Sequence, residues 1–406
     1  MSDRSGKLRN ALAAGGAALA LGVATLPCDA RADAEWPYLL GDVRGARQAL
    51  AERGIGFEIA ATVDLVGVVG GGIDPGFESP ASFDLTLTLD TGAAGLWQNG
   101  SVLVYWIGNT GGDPSLRAGD LQRSSNIETT NTFKLFEASY EHGFFDDSLA
   151  LLVGLHDLSS DFYASEYGGL FLNSSFRTGI DTSQVGISSF STTSLGARLR
   201  WNPSEPFYLL GAVYDGVPGD PREPKGTQVV FGKDDGVFAI GEVGLAGGEE
   251  EYYKLGIGGW YHSAEFRDVA GVLRDENAGL YTLAEAQLWS DGAARKVGVF
   301  AQAGFADSKR SRTGIHLGGG ISAAGLIPGR GDDVLGLAVA HARNGYAFHR
   351  ANPGRPRAET AIELTYLLVP LPWLTLQPNL QYILNPGTVG SRDDALVVGT
   401  RLQLSF

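Results

Sequence analysis

Cysteine occurs once in this sequence, at Cys28, and methionine once, at the initiator. Cys28 falls inside a leader-like N-terminus, so the exported chain is expected to carry no disulfide and no thiol chemistry. Long apolar runs are also missing. The one that exists, Ala11 to Leu26, spans 16 residues, short of the roughly 20 that a spanning helix needs. Helical membrane spanning is therefore excluded for the rest of the chain. Basic residues are in deficit, 31 against 46 acidic, for a net charge of −15. Removing the leader takes four basic and three acidic residues with it and leaves −16. Such a balance argues against nucleic acid as a partner. Reaction signatures are missing too: the sequence contains no GxGxxG, GxxxxGK, HExxH or GxSxG. The six histidines are scattered with no pair at zinc-ligand spacing, so no metal site and no cofactor is expected.

What is present is strand pattern. From Ala395 to Phe406, Leu396, Val398, Thr400, Leu402, Leu404 and Phe406 alternate with Val397, Gly399, Arg401, Gln403 and Ser405. A period of two makes a strand with one apolar and one polar face. An open edge there is a liability that closing the sheet removes. The same alternation runs through Ser82–Gly92, Glu359–Leu368 and Trp373–Tyr382, and more weakly through a dozen other windows. Together they predict about 16 strands, each of about the 9–13 residues that cross a bilayer at a tilt. Short connections such as Asp146-Asp147 alternate with long ones such as Asn109–Asn131 and Leu158–Thr193, as in transmembrane barrels. With 58 glycines, the strands fit a large barrel whose interior is an aqueous channel rather than a filled core. The expected organisation is a secretory signal over 1–34, a helical segment over 35–56 and a barrel over 57–406. Arg4, Lys7 and Arg9 followed by the apolar run and Ala32-Asp33-Ala34 mark the signal. Asp42 is the expected N-cap and Gly54 the C′ residue of the helix.

Function rests on which way the apolar parity faces. In a membrane barrel it meets lipid, and the polar parity lines a wet lumen. The export signal, uniform strand length and the aromatics Trp97, Trp201, Trp289, Trp373, Tyr382 and Phe406 near strand ends favour this reading. A pore for neutral polar solutes needs hydrogen-bonding groups at a constriction. The lumen parity offers Arg198, Arg200, Glu137, Glu359, Glu363, Gln377, Gln381 and Arg401 as substrate-contacting candidates. The aromatic-rich stretch Leu158–Thr193 either folds inward to narrow the pore or packs as an extracellular cap. Catalysis is not expected: Glu359 and Glu363 lie about 13 Å apart along one strand face, beyond the roughly 5–9.5 Å used by glycosidase carboxylate pairs. A non-selective or blocked outer-membrane barrel with a structural or adhesive role, and a barrel hydrolase built on a cross-strand pair, are the rival classes.

Several stretches resemble the carbohydrate-selective porin (OprB) family. They are Gly41-Asp42-Val43-Arg44-Gly45-Ala46-Arg47 through Gly54-Ile55, Phe171 to Phe176, Ser194 to Trp201, Ile327 to Gly336, Leu376 to Gly387, and Asp394 to Phe406. Val43-Arg44 departs from the aromatic-glycine pair of the family. The resemblance implies a 16-stranded outer-membrane barrel of a Gram-negative bacterium. It would pass mono- and small oligosaccharides by facilitated diffusion past an inward-folded loop and a charged eyelet. It also implies small sugars, outer-membrane lipid and lipopolysaccharide, and the barrel-assembly machinery as partners, and, by analogy with related porins, a homotrimer.

Overall fold

The computed structural model describes residues 36–406 apart from 249, 250 and 270. The expected leader, 1–34, lies outside the described residues. Sixteen long antiparallel strands form one sheet: β1 (Ile55–Gly70), β2 (Ala81–Asp90), β3 (Gly100–Thr110), β4 (Thr132–Phe144), β5 (Leu149–His156), β6 (Ser194–Ser204), β7 (Phe207–Asp215), β8 (Val237–Gly247), β9 (Tyr253–His262), β10 (Asn277–Ser290), β11 (Lys296–Ala306), β12 (Thr313–Ala324), β13 (Val334–Asn344), β14 (Ala358–Leu371), β15 (Leu374–Leu384) and β16 (Ala395–Ser405). Each pairs with its sequence neighbours, and β16 returns to β1 with Asp64 opposite Arg401 and Thr62 opposite Gln403. The sheet is therefore a closed barrel with no free edge. Turns at one end are as short as residues 205–206 and 372–373, whereas the other end carries 111–131, 157–193, 216–236, 263–276 and 345–357.

The apolar parity faces outward. Leu65, Ile257 and Leu280 are 49%, 65% and 64% exposed, while the inward Glu359 and Glu363 are fully buried. A band of exposed Leu, Val, Ile and Phe around a closed wall is stable only in lipid, and the wall's backbone is paired strand to strand apart from local bulges.

The N-terminal helix is shorter than the sequence predicts. It covers only Ala46–Ala51, because Val43, Arg44 and Gly45 all take positive φ and wind the chain in a left-handed turn first. Asp42 still serves the helix, accepting the Gln48 N–H at 3.0 Å. Arg47 ties this segment to the closing seam. Its guanidinium donates to the Phe57 carbonyl at 2.8 Å and to the Phe406 main-chain oxygen, and lies over the rings of Tyr38 and Phe57. The Leu39 N–H donates to Ser405 O at 2.8 Å.

The interior is not the unfilled channel that glycine content suggests. Segment 157–193 folds inward, and its Phe162, Tyr163, Phe171 and Phe176 are fully buried against inward residues of the wall. Tyr163 stacks on Tyr281 at 4.3 Å, and Phe171 lies 5.7 Å from Phe300. Inward glycines make room for this packing. A Cβ at Gly298 would sit 2.0 Å from the Tyr167 ring, and one at Gly304 would strike the Asp181 carboxylate at 2.2 Å. The inward glycines thus serve as sockets for the loop.

Candidate functional site

A peptide segment inside a lumen must find partners for its own N–H groups. Here the wall supplies them as glutamates. Glu137 on β4 accepts the Asp157 N–H at 3.0 Å. Glu242 on β8 accepts the Tyr163 N–H at 2.9 Å, together with the Tyr208 and Tyr281 hydroxyls. Glu285 on β10 accepts the N–H groups of Glu166 and Tyr167 at 3.2 Å and the Ser165 hydroxyl at 2.7 Å. Glu363 on β14 accepts the Leu172 and Asn173 N–H groups at 2.7 and 2.9 Å. In chain order the segment is pegged in turn to β4, β8, β10 and β14, so it runs round the inside of the wall. Glu359, four strand residues along β14, holds a different piece: it accepts the N–H groups of Leu121, Gln122 and Gly387 at 2.8, 3.0 and 2.7 Å.

The amides complete this fastening. Gln377 donates to Leu170 O at 2.7 Å. Gln381 donates to Ser124 O at 2.7 Å and accepts from Asn173 Nδ2 at 3.1 Å, so it touches both in-folded segments. Arg401 is buried, donates to both oxygens of Asp64 at 2.6 and 2.8 Å, and reaches Asn126 Oδ1 at 2.8 Å. Arg198 is also buried, bridging Glu141 and Asp161 at 2.8 Å each. Burial pushes the Asp161 carboxyl up, but Arg198, His156 and Arg200 together overcome it and hold the group well below the usual carboxylate range. Arg200, two residues along, keeps a 28% exposed side chain beside Glu141 at 3.1 Å.

Of the eight residues selected from lumen parity, seven are therefore sealed against the chain itself: Arg198, Glu137, Glu359, Glu363, Gln377, Gln381 and Arg401. Only Arg200 keeps an open face. Their inward direction follows from strand parity, but each also takes a partner from segments 111–131 or 157–193, which carry no periodicity to reveal it.

The open charges sit where those two segments meet. The Ser174 N–H donates to Arg123 O at 3.0 Å, and Asn126 Nδ2 donates to Phe171 O at 3.3 Å. Arg123 takes a left-handed φ of 53° at this junction, and its side chain is 57% exposed. Its nearest carboxylate oxygen, on Glu128, stands 3.8 Å away. Burial, then the charge of Asp120, pushes the Glu128 carboxyl up to about 7. Arg177, in the turn after Ser174–Phe176, is half-buried and makes no side-chain hydrogen bond or ion pair among the described residues. Glu166 is exposed in the same loop; burial of its carboxyl and the charge of Glu285 raise its pKa, while Lys254 and Arg177 oppose them. The junction thus presents guanidinium donors and an acid acceptor to solvent, backed by a pegged frame.

Known proteins match this architecture. The family model described as "Carbohydrate-selective porin, OprB family" matches residues 79–406. The chain is 24% identical to Porin B of Pseudomonas aeruginosa, with 91% of each chain covered. The high-pH structure of Pseudomonas putida OprB superposes with a TM-score of 0.83 at 21% identity, covering 92% of this chain and 99% of that one. The outer membrane channel DcaP of Acinetobacter baumannii gives 0.54 at 11% identity, covering 87% and 97%.

Proposed function

The chain belongs to the OprB family of carbohydrate-selective porins, and on that premise we propose that the junction of its two in-folded segments is the sugar-selecting constriction. As a family member it is a sugar porin of the Gram-negative outer membrane and a transport channel. The finer reading is that mono- and small oligosaccharides pass by facilitated diffusion with no catalytic step. The observation that carries it is the pairing of an outward apolar wall with an inward polar lumen narrowed by pegged loops. Sugar hydroxyls shed part of their water against Arg123 and Arg177, whose planar guanidinium groups stay charged and offer several donors each. Glu166 and the open main-chain oxygens of the junction accept in return. Binding of this kind is shallow and partly hydrated, which suits a channel, because a solute held tightly would not leave. Arg200 lies beyond the junction and offers a second contact. The sealed residues Arg198, Glu137, Glu359, Glu363, Gln377, Gln381 and Arg401 act as positioning residues for the frame. Residues 1–34 act as the cleaved export signal, and the closing strand is read by the barrel-assembly machinery.

Liposome swelling with sugars, amino acids and salts side by side tests the proposal. Saturable sugar entry that falls severalfold in Arg123→Ala and Arg177→Ala, with barrel assembly intact, is the expected result. Equal permeation of amino acids and sugars of one size, or unchanged sugar entry in both variants, would overturn it. Incubation with a labelled oligosaccharide should return the label uncleaved; a shortened product would favour a hydrolase.

A further inference from the structure

One sector of the outer rim differs from the rest in charge. Residues 307–312 and 343–357 hold Lys309, Arg310, Arg312, Arg343, Arg350, Arg355 and Arg357 against the single carboxylate of Asp307. The neighbouring long connections are acidic on balance: 216–236 has four acids to three bases, and 263–276 has four acids to two. The cation-rich segments form one surface. The Gly345 N–H donates to Arg312 O at 2.6 Å, the Ala347 N–H to Ser308 O at 3.0 Å and the Asn344 N–H to Arg357 O at 2.9 Å. Arg312 and Arg355 are committed to the face of Phe348, and Arg310 to Glu276 and Asp307. Lys309, Arg343, Arg350 and Arg357 remain exposed, with no side-chain hydrogen bond or ion pair among the described residues.

The position of Arg343 says what such a surface meets. Along β13 the buried positions Ala338, Ala340 and Ala342 face inward, so Arg343 faces outward. Among the described residues it is the one arginine or lysine on an outward-facing position of the sixteen wall strands. One step down the same face, His341 bonds Thr360 at 2.8 Å. Below them stand exposed Val339, Leu337, Leu317 and Leu364, the lipid-facing band. An unpaired cation at the top of an apolar wall, with three more beside it, fits an amphiphile whose phosphate sits at the rim and whose acyl chains lie against the band.

We infer that this sector, Lys309, Arg343, Arg350 and Arg357, is a docking surface for the phosphorylated glycolipid of the outer leaflet. The inference takes only the membrane location from the family reading and is independent of what the pore passes.

The full-length protein in detergent micelles should be titrated with bis-phosphorylated lipid A, with its dephosphorylated form and with inorganic phosphate. Sugar entry into liposomes is followed in parallel, so that failure here is separable from failure of the pore reading. The triple variant Arg343→Ala/Arg350→Ala/Arg357→Ala is expected to bind the phosphorylated lipid at least tenfold more weakly, from about one charge contact per residue. The triple Arg→Lys variant should recover most of the binding, and Arg222→Ala/Arg267→Ala on the acidic sector should leave it unchanged. Equal binding of the dephosphorylated lipid, full displacement by millimolar phosphate, or wild-type affinity in the triple alanine variant would each overturn the assignment. Unchanged heat-modifiable migration of each variant on gels establishes that the barrel is folded.

Discussion

Replacing Glu363 tests the idea that the pore's bore is held open by pegs on the wall. In Glu363→Ala the Leu172 and Asn173 N–H groups, at 2.7 and 2.9 Å from the carboxylate, lose their acceptor, as does Asn379 Nδ2. All lie in the buried interior, and each unpaired donor costs about 1–3 kcal/mol. Part of this is recovered when water enters, which leaves about 2–4 kcal/mol against the pegged state, roughly a 30- to 1000-fold rise in the population of the released loop. The wall itself keeps every strand-to-strand bond, so assembly should be unaffected. Single-channel recording in planar bilayers should then show higher mean conductance, more frequent fluctuation and weaker block by added sugar. Glu363→Gln keeps one acceptor oxygen and should fall between the two. Amide exchange at Leu172 and Asn173 should accelerate in the same order. A Glu363→Ala channel with native conductance and native protection at those amides would refute the peg argument, because the loop would then be held by apolar packing alone.

Lowering the pH should tighten the loops. Burial and the charge of Asp120 raise Glu128 to about 7, and burial raises Asp181 to about 7. A raised acid pKa means that packing gains stability below the unfolded value near 4, and loses it as pH climbs through 7. Exchange at 120–128 and 178–184, corrected for intrinsic rate, should therefore be slower at pH 5 than at pH 8, and the opposite order would reject this. Arg198→Ala breaks the bridge between Glu141 and Asp161, leaving Glu141 with Arg200 and Asp161 with His156, and removing one partner of a buried pair costs about 3–5 kcal/mol. It should free the 157–163 end of the loop, seen as protease cleavage there, whereas Arg200→Ala should alter flux and leave cleavage unchanged. Arg47→Ala removes the tie between the N-terminal segment and the seam, and should lower the urea midpoint of barrel unfolding, with Arg53→Ala as an unchanged control.

Strand parity made much of this legible before any coordinates. A period-two pattern reports direction, so the closed sheet, the outward Leu and Val and the inward Glu and Arg all follow from it. The alternation of Val63, Asp64 and Leu65 holds one more signal, an acid flanked by apolar residues, which the closing register pairs with Arg401. Occupancy is another matter. Arg198 and Arg200 share a strand, a face and a residue type, yet one is sealed and the other open. What separates them is Asp161, 37 residues away in a segment without periodicity. Arg123 and Arg177, the solute contacts proposed above, carry no sequence signal for the same reason. Their placement depends on a junction between two irregular segments, set by contacts such as Ser174 to Arg123 that no local pattern encodes.

Placing acids on the wall and free arginines on the loops has a consequence for how the channel can vary. A wall glutamate whose oxygens are taken up by main-chain N–H groups has little capacity left for a solute, so changing it acts through loop position, on bore and noise. Among the described residues, Arg123 and Arg177 make no side-chain bond to the wall, so on the proposed reading changing them acts on solute contact, on affinity and selection. The proposal thus assigns the two properties to different residues in different parts of the chain. Main-chain N–H groups exist at every residue of a loop except proline, so the pegs themselves ask nothing of the loop's exposed side chains, while its buried aromatics stay fixed by their packing. A barrel built this way can exchange the side chains at its constriction for another solute while the fastening stays as it is.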